Sequence, residues 1–317
     1  MIYVICGPTA SGKSSLALAF AKAIGGHLIN GDAFQVYQGL SIGTAKPSKE
    51  EQEQVSHHLY DFVPLTRDYN VRDYQSDLRK KIEELSQKAI PIIIVGGTGL
   101  YVRAALYDYE FKDTLPVDLS RFDELTNDEL YQHLREIDPM ATEKIHANNR
   151  KRVLRALEIY YSTGEKKSEI ESRQQHRLIY PATFVGINYE RDQLYARINA
   201  RVDQMVERGL FEEAKTLYQT TSPSAHAFQA IGYKEIHQGL ASGKTEQEII
   251  EDIKKNTRNY AKRQMTFFRH QLPVTWYDDP KDAFNYLLAV HAKSKVGEEQ
   301  NEFITNKNRC QKARTKR

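Results

Sequence analysis

The stretch that decides the fold is residues 2–14, which read IYVICGPTASGKS. Its first five residues predict a buried strand, and the residues from Ser14 to Ile24, rich in Ala and Leu, predict a helix. Between them, residues 7–14 match the pattern G-x-x-x-x-G-K-[ST] in the strand–loop–helix context that a phosphate-binding loop requires. The sequence therefore predicts a phosphate site at the N-terminus of the first helix.

The residue types of this loop explain its chemistry. Glycines let the backbone curl so that successive N–H groups face phosphate oxygens, and the helix N-terminus adds its positive end. Lys13 supplies a compact cation, and the hydroxyl of Ser14 is a candidate Mg²⁺ ligand. The predicted phosphate-binding residues are Gly7, Pro8, Thr9, Ala10, Ser11, Gly12, Lys13 and Ser14.

The rest of the chain alternates strand and helix patterns, except in its middle. We predict further strands at 27–30, 90–95, 182–187 and 274–277, and helices at 14–24, 70–88, from 192 on and at 246–270. This order predicts an α/β fold, a P-loop-type parallel sheet flanked by helices. Residues 116–179 lack strand signals and predict an all-helical insertion domain. The core is then discontinuous, 1–115 and 180–291, and 292–317 is predicted to be a polar, disordered tail.

The composition excludes some classes of protein. The 317 residues are 40% hydrophobic and 27% charged, which is typical of a globular protein. No apolar run reaches the roughly 18 residues of a membrane span, and the N-terminus lacks the pattern of a signal peptide. Cys6 and Cys310 predict no disulfide framework, so we expect a cytoplasmic protein, and a monomer.

Three loops follow predicted strands at the edge where ligands bind in parallel sheets: 7–13, 31–38 and 96–101. Asp32 is a candidate general base or amine acceptor there, although an Asp at such a position also caps turns. Arg197 and Arg201, four residues apart, are either surface residues or a clamp for a leaving diphosphate. His57-His58 has no third ligand at a suitable spacing, so we expect no metal there.

Seven blocks together resemble the tRNA dimethylallyltransferases, also called tRNA isopentenyltransferases, over roughly residues 2–275. They are residues 7–14 (GPTASGKS), 32–37 (DAFQVY), 42–47 (IGTAKP), 96–101 (GGTGLY), 152–158 (RVLRALE), 231–235 (IGYKE) and 261–264 (AKRQ). The chain departs from the family pattern at Ala33, where Ser is usual, and at Phe267, where Trp is usual. Neither change removes a charged or catalytic group.

The resemblance implies transfer of a dimethylallyl group from its diphosphate to N6 of the adenosine just 3′ of the anticodon, in tRNAs that read codons beginning with U. Asp32 would accept the proton of the amine, Thr9 and Arg201 would bind the diphosphate, and Ser14 would hold Mg²⁺. The residues expected to touch the tRNA anticodon stem-loop are Asp32, Ala33, Phe34, Gln35, Thr98, Arg121, Lys151, Arg152, Arg155, Gln229, Gly232, Tyr233, Lys234, Arg258, Lys262 and Arg263.

Two other functions remain open at this point. A small-molecule or nucleotide kinase would also use a phosphate-binding loop. The predicted strand 90–95, however, ends in Gly96-Gly97 with no carboxylate to hold Mg²⁺, which weakens a nucleotide-hydrolysing function. A non-catalytic RNA-binding protein that uses the loop as a nucleotide switch would bind RNA without alkylating it.

Overall fold

A computed structural model describes residues 1–111 and 117–295. The chain divides into two compact units, one formed by Met1–Leu106 together with the residues from Tyr180 on, and the other by Tyr107–Ile179. The predicted insertion, 116–179, falls within the second unit. Among the described residues, no helix is both long and apolar enough to cross a membrane.

The described part of the first unit contains a six-stranded, all-parallel sheet. Its strands are β1 (Ile2–Cys6), β2 (His27–Asn30), β3 (His57–His58), β4 (Ile92–Gly96), β5 (Ala182–Ile187) and β6 (Thr275–Tyr277), in the order β3-β2-β4-β1-β5-β6. Strand β1 pairs with β4 on one side and β5 on the other, and all five of its residues are buried. The predicted α/β fold is confirmed.

Both units contain helices. Those of the described residues are α1 (Lys13–Ile24), α2 (Lys49–Gln54), α3 (Val71–Gln87), α4 (Gly99–Leu106), α5 (Asn127–Ile137), α6 (Pro139–Thr142), α7 (Arg150–Thr163), α8 (Lys167–Arg173), α9 (Arg191–Glu207), α10 (Leu210–Thr220), α11 (Tyr233–Ala241), α12 (Glu246–Gln271) and α13 (280–295). Side-chain caps explain several starts. At α12, the Thr245 side chain accepts from the Glu248 N–H and the Glu248 carboxylate accepts from Thr245, a reciprocal capping box.

The helical unit has a hydrophobic core of its own. Leu130 and Leu134 of α5 pack with Val153 and Leu157 of α7, and all four are fully buried. Helix α7 ends at Gly164, whose φ of 73° is the left-handed conformation that glycine adopts without strain. Since this unit buries its own apolar side chains, its helices do not depend on the sheet for a core.

The predicted tail boundary at 292 is wrong for the residues that the structure describes. Helix α13 continues to residue 295, and its Ala283 and Leu287 are fully buried in the core with Phe20 of α1. This helix was not predicted, although residues 283–290 read AFNYLLAV and are rich in apolar side chains. The part of the predicted tail from 296 to 317 lies outside the described residues.

Candidate active site

The loop of residues 7–14 joins β1 to α1 in a shape that needs glycine. Gly7 and Gly12 have φ of 147° and 82°, and a Cβ on Gly7 would lie 3.1 Å from Ser11 Oγ. No side chain caps α1, so its first N–H groups are available to an anion. Ser11 Oγ is buried and has no hydrogen-bond partner among the described residues. The loop therefore offers unused donors in a compact cradle.

A cavity of about 460 Å³ opens in front of this loop, within the first unit. The predicted site residues that line it are Thr9, Gly12, Lys13, Ser14, Asp32, Phe34, Gln35, Arg201, Gln229, Gly232 and Arg263. The remaining loop residues, Gly7, Pro8, Ala10 and Ser11, are not among its lining residues. Segments more than 200 residues apart in sequence thus meet in one cavity.

Among the charged side chains that line this cavity are Lys13, Arg201 and Asp32, and their charges interact. Burial, and to a smaller extent the nearby Arg201, lowers the pKa of Lys13 to about 8, while Asp32 acts in the opposite direction. Burial also lowers the pKa of Arg201, which Asp32 partly offsets. The Lys13 ammonium donates to the carbonyl of Pro8 at 3.2 Å. Buried positive charge without an equal number of carboxylates suits a polyanionic ligand.

Asp32 both closes a turn and lines the cavity, so the two interpretations of this residue are compatible. Its Oδ1 accepts from the Phe34 N–H at 2.9 Å, and its own N–H donates to Asn30 Oδ1 at 2.8 Å. Its second carboxylate oxygen has no hydrogen-bond donor among the described residues. The turn therefore fixes the carboxyl group and leaves one oxygen for a ligand.

Arg197 and Arg201, for which the sequence left open a surface position or a diphosphate clamp, have different surroundings. Arg201 lines the cavity, whereas Arg197 Nε donates to the carbonyl of Ala10 at 2.9 Å and its guanidinium lies 4.7 Å from the Tyr189 ring centre. Arg197 is not among the residues that line the cavity, and it contacts the loop of residues 7–14 instead. Its role in the structure is to hold the backbone of the phosphate-binding loop.

Gln264 of α12 connects two loops of the site, a role that the sequence did not predict. It is buried, its Oε1 accepts from the Thr9 N–H at 3.0 Å, and its Nε2 donates to the carbonyl of Gly97 at 2.9 Å. A Cβ on Gly97 would lie 2.2 Å from Gln264 Nε2, so a side chain there would displace the Gln264 amide from its contacts. The block at 261–264 was the available signal, but it does not say what the amide contacts.

Comparisons with known proteins decide the family. The sequence profile described as IPP transferase matches residues 35–271. The chain belongs to the IPP transferase family. A tRNA dimethylallyltransferase of Anoxybacillus flavithermus is 46% identical over 283 residues, which cover 89% of this chain and 91% of that protein. The resemblance seen in the sequence is thereby confirmed.

Solved structures agree with the family assignment. The tRNA isopentenylpyrophosphate transferase of Bacillus halodurans is 38% identical, with a TM-score of 0.70 over 94% of this chain and 99% of that chain. A eukaryotic dimethylallyltransferase acting on tRNA is 29% identical, with a TM-score of 0.77 over 96% of this chain and 79% of that chain.

In this IPP transferase, Thr98 supports the Asp32 loop. Its Oγ1 accepts from the Ala33 N–H at 3.0 Å, and its N–H donates to the carbonyl of Gly31 at 3.1 Å. Neither Thr98 nor Ala33 is among the residues that line the cavity. In the structure they connect the loop that contains Asp32 to the loop that follows β4.

The 229–234 segment is held by a buried tyrosine. Tyr233 is fully buried, and its hydroxyl accepts from the Gly43 N–H at 3.1 Å and donates to Glu213. Gln229 and Gly232 line the cavity, whereas Tyr233 and Lys234 do not. The structure thus gives the Tyr233 ring a packing role beneath this wall of the cavity.

Basic residues cluster at 254–269, on α12, and at 150–155 in the helical unit, and their contacts differ. On α12, Arg263 lines the cavity and Lys262 is exposed, but Arg258 donates to Asn199 Oδ1 at 2.7 Å. Lys254 pairs with Asp203 at 2.8 Å.

In the helical unit, Lys151 and Arg152 are exposed and form no ion pair with a described residue. Arg155 pairs with Glu158 at 2.7 Å, and the Arg121 guanidinium lies 4.2 Å from the Tyr161 ring centre. Within the described part of the chain, only some cations of each cluster are therefore free of protein carboxylates and available to bind an anion. They include Lys262 and Arg263 on α12, and Lys151 and Arg152 in the helical unit.

Within the described residues, no group of three or more His, Cys, Asp or Glu side chains is arranged to hold a metal ion. Ser14 and Asp32 both line the cavity. Magnesium commonly takes most of its ligands from substrate phosphates and water. The site is compatible with a metal that arrives with a diphosphate, held through Ser14.

Proposed function

We propose that this IPP transferase transfers a dimethylallyl group from dimethylallyl diphosphate to N6 of the adenosine just 3′ of the anticodon, in tRNAs that read codons beginning with U. The observation that carries the proposal is the cavity in which an uncapped helix N-terminus, Lys13 and Arg201 face the carboxylate of Asp32. The names of the relatives, tRNA dimethylallyltransferases, support the acceptor and the donor. We expect a monomer that acts in the cytoplasm.

The donor diphosphate would lie against the loop of residues 7–14. Its charge rises as the C–O bond to the allylic carbon breaks, and Lys13, Arg201 and Thr9 stabilise that charge. Mg²⁺, held through Ser14, would add further neutralisation of the leaving diphosphate. Because an allylic carbon tolerates positive charge, the adenine N6 can form the new C–N bond with modest activation.

Asp32 would accept the proton that N6 loses. Its turn hydrogen bonds hold the carboxyl group in place, and its free oxygen faces the same cavity as the donor. A carboxylate in this position acts as a general base or as a hydrogen-bond acceptor that aligns the amine. The products are the N6-alkylated adenosine and diphosphate.

The acceptor base would have to leave the stack of the anticodon loop to reach this cavity. Phe34, Gln35, Gln229, Gly232 and Arg263 line the cavity and are proposed to contact the flipped nucleotide. Outside the cavity, Ala33, Thr98, Lys234, Arg258 and Lys262 of the first unit and Arg121, Lys151, Arg152 and Arg155 of the helical unit remain proposed tRNA contacts, made by phosphate and loop recognition.

A direct test incubates the purified protein with Mg²⁺, radiolabelled dimethylallyl diphosphate and an anticodon stem-loop RNA, followed by nucleoside analysis. We expect label in a single N6-alkylated adenosine. An otherwise identical stem-loop with guanosine at the target position is the control and should remain unlabelled. Turnover of ATP with no transfer of label would support the kinase alternative and overturn the proposal.

A further inference from the structure

Two aromatic rings are stacked beside the cavity, and the proposed chemistry uses neither as a base or a cation. Phe34 lines the cavity, and the exposed His226 lies parallel to it, with ring centres 5.9 Å apart and an interplanar angle of 20°. His226 opens the short 3₁₀ turn His226–Gln229, whose last residue also lines the cavity. The stacked pair therefore lies next to the wall of the cavity.

A buried tyrosine fixes the orientation of the exposed ring. Tyr37 is fully buried, its hydroxyl accepts from the Tyr69 N–H at 3.1 Å, and it lies 3.1 Å from His226 Nδ1. Since Tyr69 supplies a donor, the hydrogen of the hydroxyl is available to His226 Nδ1. A neutral imidazole that accepts at Nδ1 carries its proton on Nε2. One edge of the histidine ring is thus fixed by Tyr37, while the side chain remains exposed.

Such an arrangement is suited to receiving a further flat ring. An exposed side chain usually keeps its rotamer freedom, and fixing it in advance lowers the entropy lost on binding. When one nucleotide is extruded from a stack, its neighbour loses a stacking partner. Aromatic protein side chains replace such partners in complexes with single-stranded RNA.

We propose that Phe34 and His226 form a stacking surface for an unpaired base that adjoins the target adenosine in the RNA loop. This inference rests on the proposed function, because it requires that an RNA loop is the acceptor. The base packs on the exposed ring of His226 while the target adenine enters the cavity past Phe34.

The test compares steady-state transfer by the wild type, His226→Ala and His226→Phe with the anticodon stem-loop as acceptor. We expect His226→Ala to raise the KM for RNA about tenfold, a magnitude typical of one stacked base, with kcat changed by less than about twofold. His226→Phe keeps the flat face and is expected to restore most of the affinity. Equal losses in the two variants would overturn stacking.

A second readout uses 2-aminopurine in place of the base on either side of the target. We expect stacking on the wild type to quench its fluorescence, and His226→Ala to relieve the quenching. Ser224→Ala, in the same exposed segment, is the matched control and should behave as the wild type. If the wild type modifies the RNA but His226→Ala matches it in both readouts, this inference fails alone. If the wild type transfers nothing, the proposed function itself fails.

Discussion

At the scale of the residue, Asp32 can be tested without disturbing its turn. An Asn side chain also has an Oδ1 that accepts from the Phe34 N–H, so Asp32→Asn keeps the hydrogen bond seen at 2.9 Å and removes only the charge and basicity. We expect kcat to fall about 100-fold or more, the usual effect of losing a general base, with donor affinity nearly unchanged. Single-turnover transfer and donor binding measure the two quantities separately. Equal losses in both would argue against Asp32 as the base.

The shifted pKa of Lys13 predicts a pH dependence of donor capture. With a pKa of about 8, the free protein carries the Lys13 charge below pH 8 and loses it above. We therefore expect kcat/KM for the diphosphate donor to fall as pH rises through about 8, since a neutral amine binds the anion weakly. In Lys13→Arg the charge persists in alkaline solution, so the normalised profile should stay flat between about pH 7 and 9.5. The same alkaline decline in both proteins would contradict the assignment.

At the scale of the element, helix α12 joins the loop of residues 7–14 to the loop that follows β4, through the side chain of Gln264. Gln264→Met has a similar length but cannot bond the Thr9 N–H or the Gly97 carbonyl, which are 3.0 and 2.9 Å from the amide. We expect kcat/KM for the donor to fall about tenfold at a temperature where the variant is fully folded, because both loops lose their fixed separation. Thr266→Ala, exposed on the same helix, is the control for stability and rate. Full activity of Gln264→Met would show that the connection is dispensable.

Elements with local signals were predictable, and those that depend on distant partners were not. The capping box of Thr245 and Glu248 marks the start of α12, so its predicted and observed bounds agree to within one residue. Strand β3 consists of two histidines with no apolar pattern, and it is a strand only because β2 pairs with it. The contacts of Arg197 and Gln264 likewise depend on how α9 and α12 face the loop of residues 7–14. Packing between segments that are far apart in sequence sets these helix orientations, and hydrophobic periodicity alone does not reveal them.

At the scale of the whole molecule, available positive charge is found in both units. Lys262 and Arg263 lie in the first unit, and the exposed Lys151 and Arg152 lie in the helical unit. The net charge of only +3 conceals this distribution. Binding an RNA releases counterions from the phosphates that such side chains neutralise, so each true contact adds to the salt dependence of affinity. A cation that is already paired with a carboxylate adds little to this salt dependence.

The salt dependence therefore tests whether both units bind the acceptor. We expect replacement of Lys262 and Arg263 by Gln to lower the slope of log affinity against log salt by up to about 2, and the same for Lys151 and Arg152. If the units bind independently, the quadruple variant should lose the sum of the two effects. Lys254→Gln is the matched control, because Lys254 pairs with Asp203 and Glu251 and should leave the slope unchanged. Filter binding of a stem-loop at four or five salt concentrations suffices. A slope that changes only with the first pair would exclude the helical unit from phosphate recognition, because its two cations would then release no counterions on binding.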